Sequence, residues 1–298
     1  MIAASGVYGT DTDAMAALEG RSLPGFCTIS LDELLCVTSS SDQKLKEPEM
    51  ELKFSAAYDL RVEEQLELVD RLGPKWPEFS KSWRRYTPTN TWYNHSDGAV
   101  YYSILTTLRP KRIIEVGCGF SSAIALDVRD QELHDLELTF IEPHPERLLE
   151  LLEEGDNTTA TIHRSIVQDV PIETFDVLEK NDILFIDSSH ISKSGSDVNL
   201  LLFQVLPRLR PGGGVHFHDI FFPFEYPDAW LNRDGWPNLG WNELYLLRAF
   251  LSYNNVFQIM FFNCLVWREH PEIVRRYFPE GTKDLPGSIW LRRVRPSI

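Results

Sequence analysis

Between about residue 96 and residue 220 the chain alternates short apolar runs with amphipathic stretches, so it predicts strands and helices in turn. Ile113, Ile114 and Val116 are a short β-branched run, of the kind that fills a buried parallel strand. Leu138 to Ile141, Ala160 to His163, Asp182 to Ile186 and Val215 to His218 read as the next four strands. The helical stretches fall between them. Val100, Tyr101, Ile104, Leu105 and Leu108 share one side of a helix capped by Ser96 and stopped at Pro110. Leu148, Leu149, Leu151 and Leu152 share a face of a helix that starts at Pro145 and ends at Gly155. Val198, Leu201, Leu202, Val205, Leu206 and Leu209 mark a third buried side, before Pro211 and three glycines turn the chain.

Outside this core the pattern is less regular. Val62, Leu66, Val69 and Leu72 predict a helix over 62–72, with Gly73-Pro74 as its stop. Asn242 to Phe250 reads as a helix, and Val256 to Phe262 and Ser288 to Val294 as strands. Residues 1–55 mix polar and small residues around one short apolar segment and read as an N-terminal extension to a domain over 56–298. Trp76, Lys81, Trp83, Arg84 and Arg85 make either a basic aromatic contact surface or an aromatic anchor of the extension to the core.

Composition narrows the function classes. A net charge of −15 argues against a general nucleic-acid or anionic-membrane binder, since phosphate binding needs a basic surface. The four cysteines show neither paired metal spacing nor a disulfide framework, which predicts a cytoplasmic protein. The N-terminus lacks the charge and apolar run of a signal peptide, and no apolar run is long enough to span a bilayer.

The chemistry centres on Lys111 to Ser122, KRIIEVGCGFSS. A strand, the glycine turn Gly117-Cys118-Gly119 and a small-residue segment from Ser121 that opens a helix make a cofactor cradle. Glu115 at the strand end suits a cationic ligand. Glu142, at the end of the next strand, suits ribose hydroxyls. The third glycine of the dinucleotide fingerprint is missing, because Ser122 stands there. With these residues the chain resembles the class I S-adenosylmethionine-dependent methyltransferases, over about Trp92 to Val294. The resemblance implies a Rossmann-like, seven-stranded, mostly parallel sheet with helices on both faces and an antiparallel last strand, the cofactor core lying over 92–220. It implies S-adenosyl-L-methionine as cofactor, held by Glu115, Gly117, Cys118, Gly119, Ser121, Glu142 and Asp187. It places the adenine edge near Gln168 or Asp169, which equally suits a turn cap. Trp92, Tyr93 and His95 are either pocket residues or packing residues.

Asp187-Ser188-Ser189-His190 and His218-Asp219 fall at the tips of the fourth and fifth strands. His190 has the ordinary pKa of a general base near neutrality, and Asp187 and Asp219 are a carboxylate pair for a divalent cation. This arrangement is similar to the catechol O-methyltransferase-like branch, in which two such aspartates bind magnesium. His190 occupies the position of that branch's catalytic lysine. Ile220 stands where the branch has an amide ligand, so either His218 substitutes or the metal is absent. The structural alternatives are that Asp187 caps a turn, that His190 bonds a loop carbonyl, and that His216 and His218 are core histidines. The aromatic loop over 221–241 (Phe221, Phe222, Phe224, Tyr226, Trp230, Trp236, Trp241) reads as a lid or acceptor-binding wall, or else as a dimer contact or a well-packed covering loop.

The expected activity is methylation of a small polar or glycosylated hydroxyl acceptor, such as a sugar or natural product, with His190 as base. Neither nucleic acid nor membrane is expected as a partner, and a second copy of the chain is a candidate one. The rival readings are a nicotinamide-dependent oxidoreductase, a metal-dependent oxygenase built on His190, His218 and Asp219, and a non-catalytic binding module.

Overall fold

The computed structural model describes residues 58–231 and 240–295; the expected extension over 1–55 and Trp236 lie outside them. Seven strands form one sheet: β1 (Arg112–Val116), β2 (Glu137–Ile141), β3 (Ala160–His163), β4 (Ile183–Ile186), β5 (Gly214–His218), β6 (Phe257–Phe262) and β7 (Ser288–Arg293). Their order across the sheet is β3-β2-β1-β4-β5-β7-β6. β1 to β5 pair in parallel, and β7 runs antiparallel between β5 and β6. This is the expected mixed sheet. The chain order reverses between β1 and β4, and open α/β sheets bind ligands beyond the carboxyl ends of such a pair.

Successive strand side chains point to opposite faces, so each strand feeds two cores. On β4, Ile183 and Phe185 enter one core while Leu184 and Ile186 enter the other. Each such apolar side chain contributes about 1.5–3 kcal/mol by leaving water. Helices cover both faces. The main ones are α1 (Val62–Leu72), α2 (His95–Leu108), α3 (Phe120–Gln131), α4 (Glu146–Leu151), α5 (Asp197–Leu200), α6 (Glu243–Ser252), α7 (Asn263–Glu269) and α8 (Pro271–Tyr277).

Several details depart from expectation. Asn94, not Ser96, caps α2, its side chain accepting the Asp97 N–H at 2.9 Å. Ser96 is buried and donates to the Gly281 carbonyl at 2.8 Å. The α4 helix is short, and it buries Leu148 fully while Leu149, Leu151 and Leu152 are partly covered. The helix expected through Leu209 starts as α5, widens into a π turn over Leu201–Val205 and tightens into a 3-10 turn over Leu206–Arg208. The wider turn keeps Leu201, Leu202, Val205 and Leu206 all on the core side. Gly73-Pro74 ends α1 without releasing the chain, which bends through a 3-10 turn into a short helix over Trp76–Phe79.

Packing rather than surface contact explains the basic aromatic segment. Trp76 is fully buried, and Trp83 packs on Phe79 and His95. The Arg85 side chain is also buried, with ion pairs to Asp127 at 2.9 Å, Asp130 at 2.7 Å and Asp156 at 3.0 Å. Burial opposes its charge, but the bonds from Asp130 and Asp127 outweigh that and raise its pKa. Removing the arginine leaves buried Asp127 without a cation, while Asp156 keeps Arg129 at 2.6 Å. Arg85→Met is therefore expected to cost about 3 kcal/mol, read as a lower urea midpoint at unchanged slope; an unchanged midpoint would show that the cluster is not stabilising.

Candidate active site

The cradle forms where β1 ends. Gly117 sits at φ +83, and a Cβ there would lie 1.7 Å from the Asp187 carbonyl oxygen. Only glycine lets the tip of β1 approach the tip of β4 so closely. The Asp187 N–H in turn donates to the Val116 carbonyl at 2.8 Å, which locks the two tips together. Beside the turn, Glu142 accepts the N–H of Cys118 at 3.0 Å and of His144 at 2.8 Å. Each of its oxygens keeps a lone pair for a further donor.

Glu115 is fully buried at the base of this turn. Its Oε1 accepts the hydroxyls of Ser121 and Ser122, while its Oε2 has no hydrogen-bond partner among the described residues. Burial pushes its pKa up to about 8, against the pull of the two serines. An orphaned buried carboxylate oxygen suits a cationic ligand. Ser122 also accepts the Gly119 N–H at 3.0 Å. The position where a dinucleotide site wants a bare glycine is thus filled by a buried side chain that holds Glu115.

Gln168 and Asp169 lie in a 3-10 turn after β3 and are exposed, Gln168 donating to the Gly195 carbonyl at 3.0 Å. Trp92 is partly exposed, with the Arg147 guanidinium 3.7 Å above its ring. Tyr93 is a core residue and His95 is half-buried. Tyr93 packs on Phe185 and His218, and His95 on Phe79 and Phe278.

A second group stands at the tips of β4 and β5. His190 and Asp219 both adopt left-handed backbone, at φ +58 and +57. Such conformations are costly for non-glycine residues and persist where the surroundings fix them. Here the Asn242 and Glu243 N–H groups both donate to the His190 carbonyl, at 2.9 and 3.1 Å, pinning the loop to the start of α6. The His190 Nε2 lies 3.2 Å from Asp187 Oδ1 and 3.6 Å from Asp219 Oδ2, and its Nδ1 lies 2.9 Å from Glu243 Oε2. Burial disfavours its charge, but the bonds to Asp187 and Glu243 and the field of Asp219 win and hold its pKa well above the ordinary histidine value. The surrounding carboxylates thus favour the imidazolium form of the ring. That corrects the expectation of a free base with an unperturbed pKa.

Asp187, His190 and Asp219 each offer a ligand atom, all within 4.8 Å of one another. His218, expected as a metal ligand, is not one of these three: its Nδ1 faces Ser288 Oγ at 3.2 Å, and its Nε2 lies 3.3 Å from the Trp92 carbonyl and 3.6 Å from Asp219 Oδ1. The oxygenase reading therefore lacks its second histidine in this group. His216 is a core residue, stacked 3.8 Å from Phe185.

The aromatic loop divides. Phe221, Phe222, Phe224 and Tyr226 are buried in the core rather than forming a wall. Trp241 packs its ring 4.3 Å from His190, and Trp230 lies 5.8 Å from Trp241. Glu243 escaped the sequence reading, because an acid in the first turn of a helix ordinarily serves the helix.

Residues 114–220 match a family model described as a methyltransferase domain. An uncharacterized protein of Archaeoglobus fulgidus is 34% identical over 136 residues, covering 42% of this chain and 60% of that protein. The match thus spans less than two thirds of the relative's length. Several solved structures are similar, two of them as follows. SAH-bound PaMTH1, a Podospora anserina methyltransferase, is 17% identical, covers 93% of this chain and 100% of its own, and has a TM-score of 0.47. The Streptomyces achromogenes O-methyltransferase TomG, in complex with SAM and involved in tomaymycin synthesis, is 17% identical, with 84% and 100% covered and a TM-score of 0.45. Residues 114–220 thus match a methyltransferase domain, and they lie in a Rossmann-like seven-stranded sheet.

Proposed function

We propose that the protein transfers a methyl group from S-adenosylmethionine to a hydroxyl oxygen of a small molecule. The observation that carries this reading is Glu115, whose buried Oε2 lacks a partner inside a glycine cradle. An ammonium-bearing ligand supplies that partner, and a pyrophosphate does not. Glu115, Gly117, Cys118, Gly119 and Ser121 would hold the amino-acid end of the cofactor, Glu142 its ribose, and Gln168 and Asp169 the adenine edge. The bound cofactor supplies an electrophilic methyl on a sulfonium.

The chain's own work is to orient the acceptor and take its proton. Asp187 reaches both the cradle and the second group, so it sits between donor and acceptor. Trp241 offers a flat apolar surface beside His190, fitting a planar or sugar ring. With His190 protonated, the acceptor's proton goes to a carboxylate oxygen of the Asp187–His190–Asp219 group. Burial raises the Asp219 pKa even against the nearby histidines, which makes it the more basic carboxylate. The same three side chains form a mixed carboxylate and imidazole donor set that fits a divalent cation. Such a set suits a first-row transition ion better than magnesium, which prefers oxygen ligands. The ion would supply Lewis acidity toward the hydroxyl.

Incubation with methyl-labelled cofactor and a panel of phenols, sugars and glycosides tests the reaction; label in no hydroxyl product would set it aside. Glu115 gives a sharper test. A carboxyl raised to about 8 in the folded state stabilises fully below its unfolded value, and that contribution is lost as pH rises through about 8. Glu115→Gln cannot ionise, so it is expected to flatten this loss of unfolding temperature, which runs from about pH 4.5 to about 8, in the ligand-free protein. It should also weaken cofactor binding about tenfold by removing a charge-assisted bond. Calorimetric titration of both forms checks this, and equal affinity would remove Glu115 from the cofactor site.

A further inference from the structure

Strand β4 carries Asp187 at one end. At its other end Lys180 and Asn181 border a cavity of about 570 Å³, on the opposite edge of the sheet from the cradle. Its floor is apolar, with Leu68 and Leu72 from α1, Ile104 from α2 and Met260 from β6. Met260 reaches it from a bulge, where the pairing of β6 with β7 slips by one residue.

The walls are cationic. Arg61, Arg71, Lys180 and Arg292 line the cavity against two carboxylates, Glu64 and Glu67. Arg61 is engaged, bonding Glu64 at 2.9 Å and Gln258 at 2.7 Å. No ion pair joins Arg71, Lys180 or Arg292 to a carboxylate among the described residues. Two buried polar atoms in the same lining, Arg292 Nε and Thr107 Oγ1, have no hydrogen-bond partner there either. Burial depresses the Arg292 pKa, and the fields of Arg71 and Arg61 push it the same way. Buried donors are ordinarily satisfied, and guanidinium groups converge where an anion bridges them. In a chain of net charge −15 this concentration of unpaired cations runs against the overall balance.

We propose that this cavity binds a small organic anion. Its phosphate or carboxylate head meets Arg292, Arg71 and Lys180, with Thr107 as an additional hydroxyl partner, and its apolar body lies on the Leu68, Leu72 and Met260 floor. The site is separate from the methyl-transfer machinery and does not depend on that activity.

The test is thermal unfolding and calorimetric titration of the whole chain with phenyl phosphate, benzoate and inorganic phosphate, each at ionic strength matched with sodium chloride. Phenyl phosphate or benzoate is expected to raise the unfolding temperature with the logarithm of its concentration, and whichever acts more strongly identifies the head group. Arg292→Gln should cut the affinity about tenfold. Lys180→Gln, on an exposed side chain, should cut it severalfold while leaving the urea midpoint unchanged. Binding that persists undiminished in both variants, inorganic phosphate binding as tightly as the organic anions, or no binding beyond the salt control would each overturn the proposal.

Discussion

Gly117→Ala is expected to abolish measurable cofactor binding and to lower stability by about 3 kcal/mol or more. Two penalties coincide at this position. The backbone sits at φ +83, which an L side chain rarely adopts, and the added Cβ would lie 1.7 Å from the Asp187 carbonyl oxygen and 2.7 Å from its carbon. Those are backbone atoms, so no rotamer change relieves the overlap. Relief would have to part the tip of β1 from the tip of β4, breaking the Asp187 N–H bond to the Val116 carbonyl. The cradle and the carboxylate beside it would then move together. Gly155 provides the control. It has φ +95 but nothing within 4 Å of an added Cβ, so Gly155→Ala should cost only about 1 kcal/mol and leave cofactor binding intact. Urea midpoints and cofactor titrations of both variants make the comparison; similar losses in the two would show that the turn conformation, not the contact with Asp187, is what matters.

The second large effect is expected at His190. Its imidazolium balances Asp187, Asp219 and the buried Glu243 together. His190→Ala leaves Glu243 without its bond to Nδ1, and stability should fall by about 3–5 kcal/mol. Methyl transfer should drop by at least about 100-fold, because Asp187 and Asp219 lose the cation that holds them in place to take the acceptor's proton. Histidine with a raised pKa stabilises fully below its unfolded value of 6.5, and the contribution disappears as pH rises through the folded value. The wild-type protein should therefore lose stability on the alkaline side, and His190→Ala should lose that part of the dependence. Glu243→Gln separates charge from position. It keeps the side-chain shape but weakens the hold on the proton, so the alkaline loss and the pH profile of transfer should both move to lower pH. A profile unmoved in Glu243→Gln would show that His190 is not part of the proton-accepting unit.

The fold was legible because its signals are local. β-branched and apolar runs bounded by turn residues located every strand to within about a residue. The cradle was legible for the same reason, since Glu115, the glycines and Ser121 lie within seven residues. What escaped was tertiary. Glu243 is 53 positions from His190, and nothing in its neighbourhood distinguishes it from an acid at an ordinary helix start. The unperturbed histidine pKa was the wrong reference because three carboxylates converge on the ring only after folding. His218 alternates correctly along its strand, yet Ser288 and the Trp92 carbonyl, from distant segments, decide where its nitrogens point. The phenylalanines after Asp219 looked like a wall because composition does not reveal burial. They close one core, leaving Trp241 against the candidate chemistry. Among the described residues, no helix is long and apolar enough to cross a membrane, in line with the absence of a long apolar run.

The most direct measurement is thermal unfolding of the purified protein with S-adenosylmethionine, S-adenosylhomocysteine, NAD and NADP side by side. A ligand that binds only the folded state raises the unfolding temperature in proportion to the logarithm of its concentration over its dissociation constant. The account predicts a rise with the two methionine-derived ligands, lost in Gly117→Ala, and none with the nicotinamides. A rise with NAD or NADP alone would contradict it.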